Sequence, residues 1–351
     1  MNNSNISLVG SLSKGWMAEA LGVAFDRDYY FDLDRRYEID RKCNDYAKKE
    51  LADLDIFYTE SNLGQFDHFS EDQILVGGIQ PNMILGMLVG AEFIPNDSMD
   101  ADISMTPLKD KDPDQLPAPD DLVECELIKL FDSQIEQVRS EGRLTPVPPF
   151  FWDVSGRATI HGTLTTAQKF LGENIFIDLM TEPEKVCRVM DWITDSTIVL
   201  LRHFSEVGNL AITSIHIGEC SGCMVNPDMF ARFVVPHASR IADALGSLRF
   251  HSCGASTHLL KSMKAMSNLT SLDLGGDTSV AKAREIFGKD IPIDIAPMPA
   301  DFSADSPEPI LNWARGVITE NNGGPLRILY HLEPDYKLAI VRALDDYVKN
   351  L

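Results

Sequence analysis

Apolar positions follow two regimes along this chain. From Leu144 onward, short apolar runs alternate with longer segments in which apolar residues recur every three or four positions. The clearest helix is expected over 183–207, where Val186, Val189, Met190, Ile193, Ile198, Leu201 and Phe204 share one face. Another is expected over 226–245, where Asn226-Pro227-Asp228 supplies an N-cap, a first-turn proline and an acid near the helix N-terminus. The same spacing predicts helices over 163–171, 259–266, 280–287, 307–320 and 337–349, and strands over 148–154, 210–217, 248–252, 269–274, 291–295 and 326–331. Before Leu144 the pattern is mixed. Residues 15–51 read as helical and densely charged, 55–59 as a short strand, 81–88 as a helix opened by Pro81, and 121–141 as a helix. Between these last two, the charged, proline-rich stretch 109–121 reads as a surface connection.

Strands that alternate with helices of ten to twenty residues imply repeated βαβ units and a parallel sheet. The economical architecture is an α/β fold of (β/α)8 TIM-barrel type with additional N-terminal helices. It would be one domain over 1–351, with 1–60 as a helical extension packed on the barrel. A doubly wound sheet would call for a glycine-rich phosphate turn, and no G-x-G-x-x-G or Walker A pattern occurs.

Composition narrows the function classes. Thirty-one Lys and Arg against 53 Asp and Glu give a net charge of −22, which disfavours nucleic-acid backbones and anionic membranes as partners. No run of eighteen apolar residues suggests a membrane span. The polar start, Met1 to Lys14, lacks a cationic flank followed by an apolar core, so a cytoplasmic protein is expected. Six cysteines are too few for a disulfide framework in 351 residues. Cys43, Cys125 and Cys187 lie among apolar neighbours in helical segments and read as core thiols.

In a barrel the chemistry sits on the loops after the strands. Those loops carry Gly218-Glu219-Cys220-Ser221-Gly222-Cys223, then His251-Ser252-Cys253-Gly254, then Asp273 with Gly275-Gly276-Asp277, then His331-Leu332-Glu333. Earlier, Phe151-Trp152-Asp153 is followed by His161. Side chains alternate along a strand, so His251 and Cys253 face the same side. An imidazole and a thiolate plus one ligand from another strand end would make a three-ligand site with an open position, the arrangement of a catalytic zinc. Cys220-x-x-Cys223 has no second C-x-x-C to complete a structural site. His216 reads as a hydrogen-bonded core residue, and His203, His237 and His258 as surface or packing residues. Met224, Met229, Met263 and Met266 read as core filler.

From about residue 163 to the C-terminus the chain resembles the uroporphyrinogen decarboxylase superfamily. The resembling stretches are Gly172-Glu173-Asn174-Ile175-Phe176-Ile177-Asp178 with Pro183-Glu184, Asn226-Pro227-Asp228-Met229-Phe230 with Pro236, His251-Ser252-Cys253-Gly254, and Ile328-Leu329-Tyr330-His331. The resemblance implies a (β/α)8 barrel with its site at the C-terminal mouth. It divides into two branches. The decarboxylases carry an arginine-rich N-terminal segment that holds substrate carboxylates, whereas this N-terminus is acidic and Arg35-Arg36 lies in another context. The cobamide-dependent methyltransferases, including the methylcobamide:coenzyme M type, use a zinc site of the form His-x-Cys with a distant Cys. His251-Ser252-Cys253 fits the first part, but no cysteine follows Cys253.

The resemblance to the second branch therefore implies a zinc-dependent methyltransferase that exchanges a methyl group between a small substrate and the corrinoid of a separate protein. The first ligands would be His251, Cys253 and His331, with Cys220 or Glu219 able to complete the set. Glu219 and Asp273 could each serve as a further ligand, an orienting group or a proton carrier. The chain has no Asp-x-His-x-x-Gly corrinoid motif, so the cobamide is expected on a partner. A metal-free decarboxylase and a non-catalytic barrel are the rival expectations.

Overall fold

A computed structural model describes residues 5–57, 72–153 and 155–351. Its centre is an eight-stranded, wholly parallel sheet: β1 (Ile6–Leu12), β2 (Ile56–Phe57), β3 (Arg157–His161), β4 (Ser214–Gly218), β5 (Ser247–Ser252), β6 (Leu269–Gly275), β7 (Ile293–Ala296) and β8 (Leu326–Leu332). The spatial order is β2-β1-β8-β7-β6-β5-β4-β3, so β8 pairs with β1 and joins the two ends of the chain in one sheet. The helices expected after Leu144 are present, with bounds such as Pro183–Gly208, Val280–Phe287, Glu308–Glu320 and Leu338–Lys349.

The expected barrel is found as a curled α/β sheet. Among the described residues its ladder does not close, because β2 and β3 remain edges. A separate two-stranded parallel sheet, Gln73–Leu75 with Thr145–Val147, precedes β3 in the chain. Two backbone bonds, Thr159 N–H to Phe150 O at 2.8 Å and Asp153 N–H to Arg157 O at 2.9 Å, link β3 to the segment that follows this small sheet.

The expected strand over 148–154 is corrected. Phe150 and Phe151 hold φ of 75° and 48°, a left-handed backbone that ends extended pairing. The chain turns there, and the strand begins only at Arg157. Of the strand expected over 55–59, Ile56–Phe57 is formed, and 58–59 lie outside the described residues. The first sixty residues give the sheet two strands, β1 and β2, besides the helices Lys14–Leu21, Arg27–Phe31 and Leu33–Glu50. Asn226 caps its helix by accepting from Met229 N–H at 2.9 Å. A π turn, Phe230–Val234, then precedes Val235–Leu245, beside Pro236, which cannot donate to the helical ladder.

Period-two alternation explains the sheet's chemistry. Ile160, Ile217, Phe250, Leu272, Leu274, Ile293, Ile295 and Ile328 are all buried, as expected for the side covered by crossover helices. The intervening residues form polar rows across the other face. His161 lies opposite Gly218, Gly218 opposite His251, His251 opposite Asp273, Asp273 opposite Asp294, and Asp294 opposite Arg327. One position nearer the strand starts on this face, Thr159, His216, Arg249 and Ser271 make a second row. Buried charges must be paired, and these are. Asp294 receives Arg249 Nη2 at 2.6 Å and Arg327 Nη2 at 2.9 Å.

Candidate metal centre

Three side chains meet at the C-terminal ends of β4 and β5. The donor atoms of Cys220, His251 and Cys253 lie within 4.8 Å of one another. Cys253 Sγ is 2.9 Å from Cys220 Sγ and 2.8 Å from His251 Nε2. Local structure fixes each of them. Glu219 N–H donates to His251 O at 2.9 Å and ties the loop after β4 to the end of β5. Ser256 Oγ donates to Cys253 O at 2.9 Å. The turn through Gly254 packs so tightly on β6 that a Cβ at Gly275 would stand 2.4 Å from Gly254 N, so the chain needs glycine there.

Behind His251 stands Asp273. Its Oδ2 is 3.0 Å from His251 Nδ1, an ion-pair contact bent away from the ideal N–H direction, and 3.0 Å from Arg249 Nη2. Burial opposes a charge on His251, yet the Asp273 carboxylate, and after it Cys253, raise its pKa to about 10. Burial also opposes charge on Asp273, and the charges of Arg249 and His251 hold it well below the usual carboxylate range. The thiols divide. The hydrogen bond from Cys220, with help from His251, lowers Cys253, while the same contact and burial raise Cys220. These directions favour negative charge on Cys253, positive charge on the His251 ring and a protonated Cys220.

The donor set fits zinc. Two sulfurs and one imidazole nitrogen suit a soft-to-borderline cation, and three protein ligands leave a fourth position open. A carboxylate behind a ligating histidine is the usual way its ring orientation is fixed.

Other expected residues lie elsewhere. His331, expected as the third ligand, stands outside this triangle. Its Nδ1 is 2.7 Å from Ser11 Oγ, and burial lowers its pKa to about 4. The third donor atom of the triangle belongs to Cys220, one of the two residues named as able to complete the set. Glu219 is turned away from the sulfurs and caps the helix Thr163–Leu171, accepting from Leu164 N–H at 3.0 Å, Thr165 N–H at 2.8 Å and the Thr165 hydroxyl. Burial nonetheless raises its pKa to about 7. Cys223 donates to Cys220 O at 3.1 Å and bends the loop. His216 is buried against Arg249, as expected of a core histidine. Met224 is corrected from core filler to an exposed residue, 60% accessible on the loop after Cys223, whereas Met263 and Met266 are buried. Cys43 is buried, while Cys125 and Cys187 are only partly so.

Sequence reasoning placed His161 and His331 at strand ends but passed over Lys14 and Asp100. Lys14 Nζ donates to Asp100 Oδ1 at 2.7 Å, and the Asp100 charge acts on both His331 and His161. His161 is a partly buried imidazole whose pKa falls to about 4 through desolvation. It stands at the end of β3, in register with Gly218. Arg249 was also missed, because an arginine in a strand start looks like an edge residue until its neighbours are known.

Comparison with known proteins agrees with this architecture. A curated uroporphyrinogen decarboxylase from Syntrophotalea carbinolica is 29% identical over 150 residues, which is 41% of this chain and 41% of that protein. The match therefore spans about two fifths of the relative's length. A solved structure, a methyltransferase from Methanosarcina mazei, superposes with a TM-score of 0.65 over 98% of this chain and 94% of its own, at 15% identity, and so shares the fold. No helix among the described residues is long and apolar enough to cross a membrane. The model of the family described as Uroporphyrinogen decarboxylase (URO-D) matches residues 93–294, more than half of the 351, and the chain belongs to that family.

Proposed function

We propose that the protein is a zinc-dependent methyltransferase that moves a methyl group between a small substrate and the corrinoid of a separate protein. One observation carries the reading: Cys220, His251 and Cys253 converge as a three-donor set at the strand ends, with Asp273 behind the imidazole. In this reading Cys220, Cys253 and His251 Nε2 hold the ion. Bound there, zinc supplies Lewis acidity, stabilising charge on the substrate heteroatom that gains or loses the methyl group. Asp273 keeps the ring oriented and its Nδ1 proton occupied. Glu219 holds the start of the helix Thr163–Leu171 against the loop that carries Cys220. The substrate class is a methoxylated aromatic, a methylamine, methanol or a thiol, and the corrinoid carrier is the protein partner.

The charge distribution argues against a polycarboxylate substrate. The arginines on the sheet's polar face, Arg157, Arg249 and Arg327, are set toward the strand starts and engaged with Asp153, Asp273 and Asp294. Beside the strand ends, Lys14 is matched by Asp100 and Lys169 by Asp102. A substrate with many carboxylates would find acids there as often as cations.

Metal analysis of the purified protein beside its Cys253→Ala variant tests the reading, together with the absorbance change of methylcob(III)alamin offered with a thiol. The expected result is one zinc per chain, lost in the variant, and zinc-dependent demethylation of the corrinoid. Zinc retained at full stoichiometry by C253A, or decarboxylation of a porphyrinogen by metal-free protein, would overturn it.

A further inference from the structure

Arg249 is the most enclosed charge on the polar face. Its side chain is 4% exposed. It precedes His251 by two residues on β5 and so projects from the same side of the sheet. Its guanidinium is held from three directions. Nε and Nη2 donate to Asp294 Oδ2 at 2.9 and 2.6 Å, Nη1 meets the His216 ring, and Nη2 reaches Asp273 Oδ2 at 3.0 Å. Arg327 Nε, donating to Asp294 Oδ1 at 3.0 Å, braces the same anchor from β8. The Asp273 oxygen that Arg249 touches is also the one beside His251 Nδ1.

We propose that Arg249 is a positioning residue of the metal centre, acting through Asp273 to hold the His251 ring with Nε2 toward Cys220 and Cys253. This inference rests on the zinc reading above. A carboxylate's terminal torsion is broad and has only weak preferences of its own. A planar guanidinium, itself fixed by Asp294 and His216, removes that freedom. With Oδ2 stationed behind Nδ1, the ring that gives up its Nε2 proton to bind zinc would keep the other on Nδ1, leaving the Nε2 lone pair on the atom that faces the thiols. Asp294 and Arg327 complete a line of alternating charges, Arg327–Asp294–Arg249–Asp273–His251, that runs from the strand starts to the metal ligands.

A purely structural arginine would neutralise two buried carboxylates and do nothing more. The two roles separate in a double-mutant cycle read by metal affinity. Zinc-stripped wild type, Arg249→Gln, Asp273→Asn and the double variant are titrated with zinc against a chromophoric chelator, and the thiolate-to-metal band of the cobalt-substituted forms is recorded. D273N is expected to weaken zinc binding by about 10–100-fold, the usual cost of removing a ligand's outer partner. R249Q is expected to weaken it by about tenfold, and the double variant to bind no more weakly than D273N alone, because both changes interrupt one path. Losses that multiply in the double variant, or R249Q binding zinc as wild type does, would overturn the inference. Circular dichroism checks that each variant is folded. If R249Q is not, Arg249→Lys takes its place in the cycle, keeping the charge but lacking the planar fork, and wild-type affinity in R249K would overturn the inference equally. Wild type that binds neither zinc nor cobalt would instead refute the zinc reading itself.

Discussion

Replacing Cys220 and His331 one at a time separates the two ligand sets that the chain could use. Sequence order favours His331, since it ends a strand as His251 does, whereas geometry favours Cys220, whose sulfur is 2.9 Å from Cys253 Sγ. Zinc bound by four ligands in small domains is worth about 10–16 kcal/mol, or about 2.5–4 kcal/mol per ligand if the ligands share it evenly. At 1.36 kcal/mol per tenfold, Cys220→Ala should then weaken zinc by about 10²–10³-fold. His331→Ala should leave affinity within about threefold, because its ring pairs with Ser11 and lies outside the donor triangle. Cobalt substitution reads the same question spectroscopically. The intensity of the thiolate-to-cobalt band should fall by about half in C220A, one of two sulfurs being gone, and should be unchanged in H331A. Competition with a chromophoric chelator gives the affinities, and thermal unfolding of the stripped proteins shows whether either change acts through stability. Metal lost in H331A and retained in C220A would refute the assignment.

Glu219 should give stability a distinctive pH dependence. Its folded pKa is raised to about 7 against an ordinary 4.5, so its contribution is fully present below about pH 4.5 and declines as pH rises through 7. Urea midpoints of wild type should fall over that window by more than those of Glu219→Gln, and parallel curves would show that the carboxyl does not titrate there. The paired sulfurs should close under a mild oxidant such as diamide, each thiol giving up one hydrogen, with a mass loss of about 2 Da that zinc prevents and Cys223→Ser does not. A disulfide mapped to Cys223 instead would contradict the contact. Gly162→Ala should disrupt the loop carrying Cys220, since its Cβ would stand 2.2 Å from Glu219 Oε2, and we expect about 1–3 kcal/mol of lost stability together with weaker zinc binding. A variant as stable as wild type would show that Glu219 can yield without cost.

The βαβ alternation after Leu144 was legible because each crossover helix has an apolar stripe and each strand an apolar outward face; Val280–Phe287 falls on the expected bounds. Two segments were misread for opposite reasons, one a strand that was missed and one a strand that does not form. Ile6–Leu12 is seven residues interrupted by Ser7, Gly10 and Ser11, and its polar positions read as a loose terminus until β8 lies alongside. The segment 148–154 has strand-like residues, but the backbone turns left-handed at Phe150 and Phe151, a choice made by packing that side-chain type does not announce. Closure of the sheet was expected from counting strands, and counting cannot say whether the edge strands pair.

The site was legible to the extent that it obeys local rules. His251 and Cys253 sit two apart in one strand end, so alternation alone puts them together. Cys220 joins them because β4 and β5 are neighbours in register and Glu219 N–H binds His251 O, a relation across 33 residues that no spacing rule encodes. The same is true of Arg249 and Asp294. Each is an unremarkable strand residue in sequence, and each gains a partner role once the polar face is enclosed, because the buried Asp273 carboxylate is balanced by Arg249 as well as His251 and Arg249 in turn by Asp294. The rows of alternating charge are therefore a consequence of placing a thiolate–imidazole centre at the end of a sheet whose other face is already given to the helices. Removing one member should be felt along the row more than around it, and it is in this respect that the charged interior differs from an apolar barrel core of equal volume.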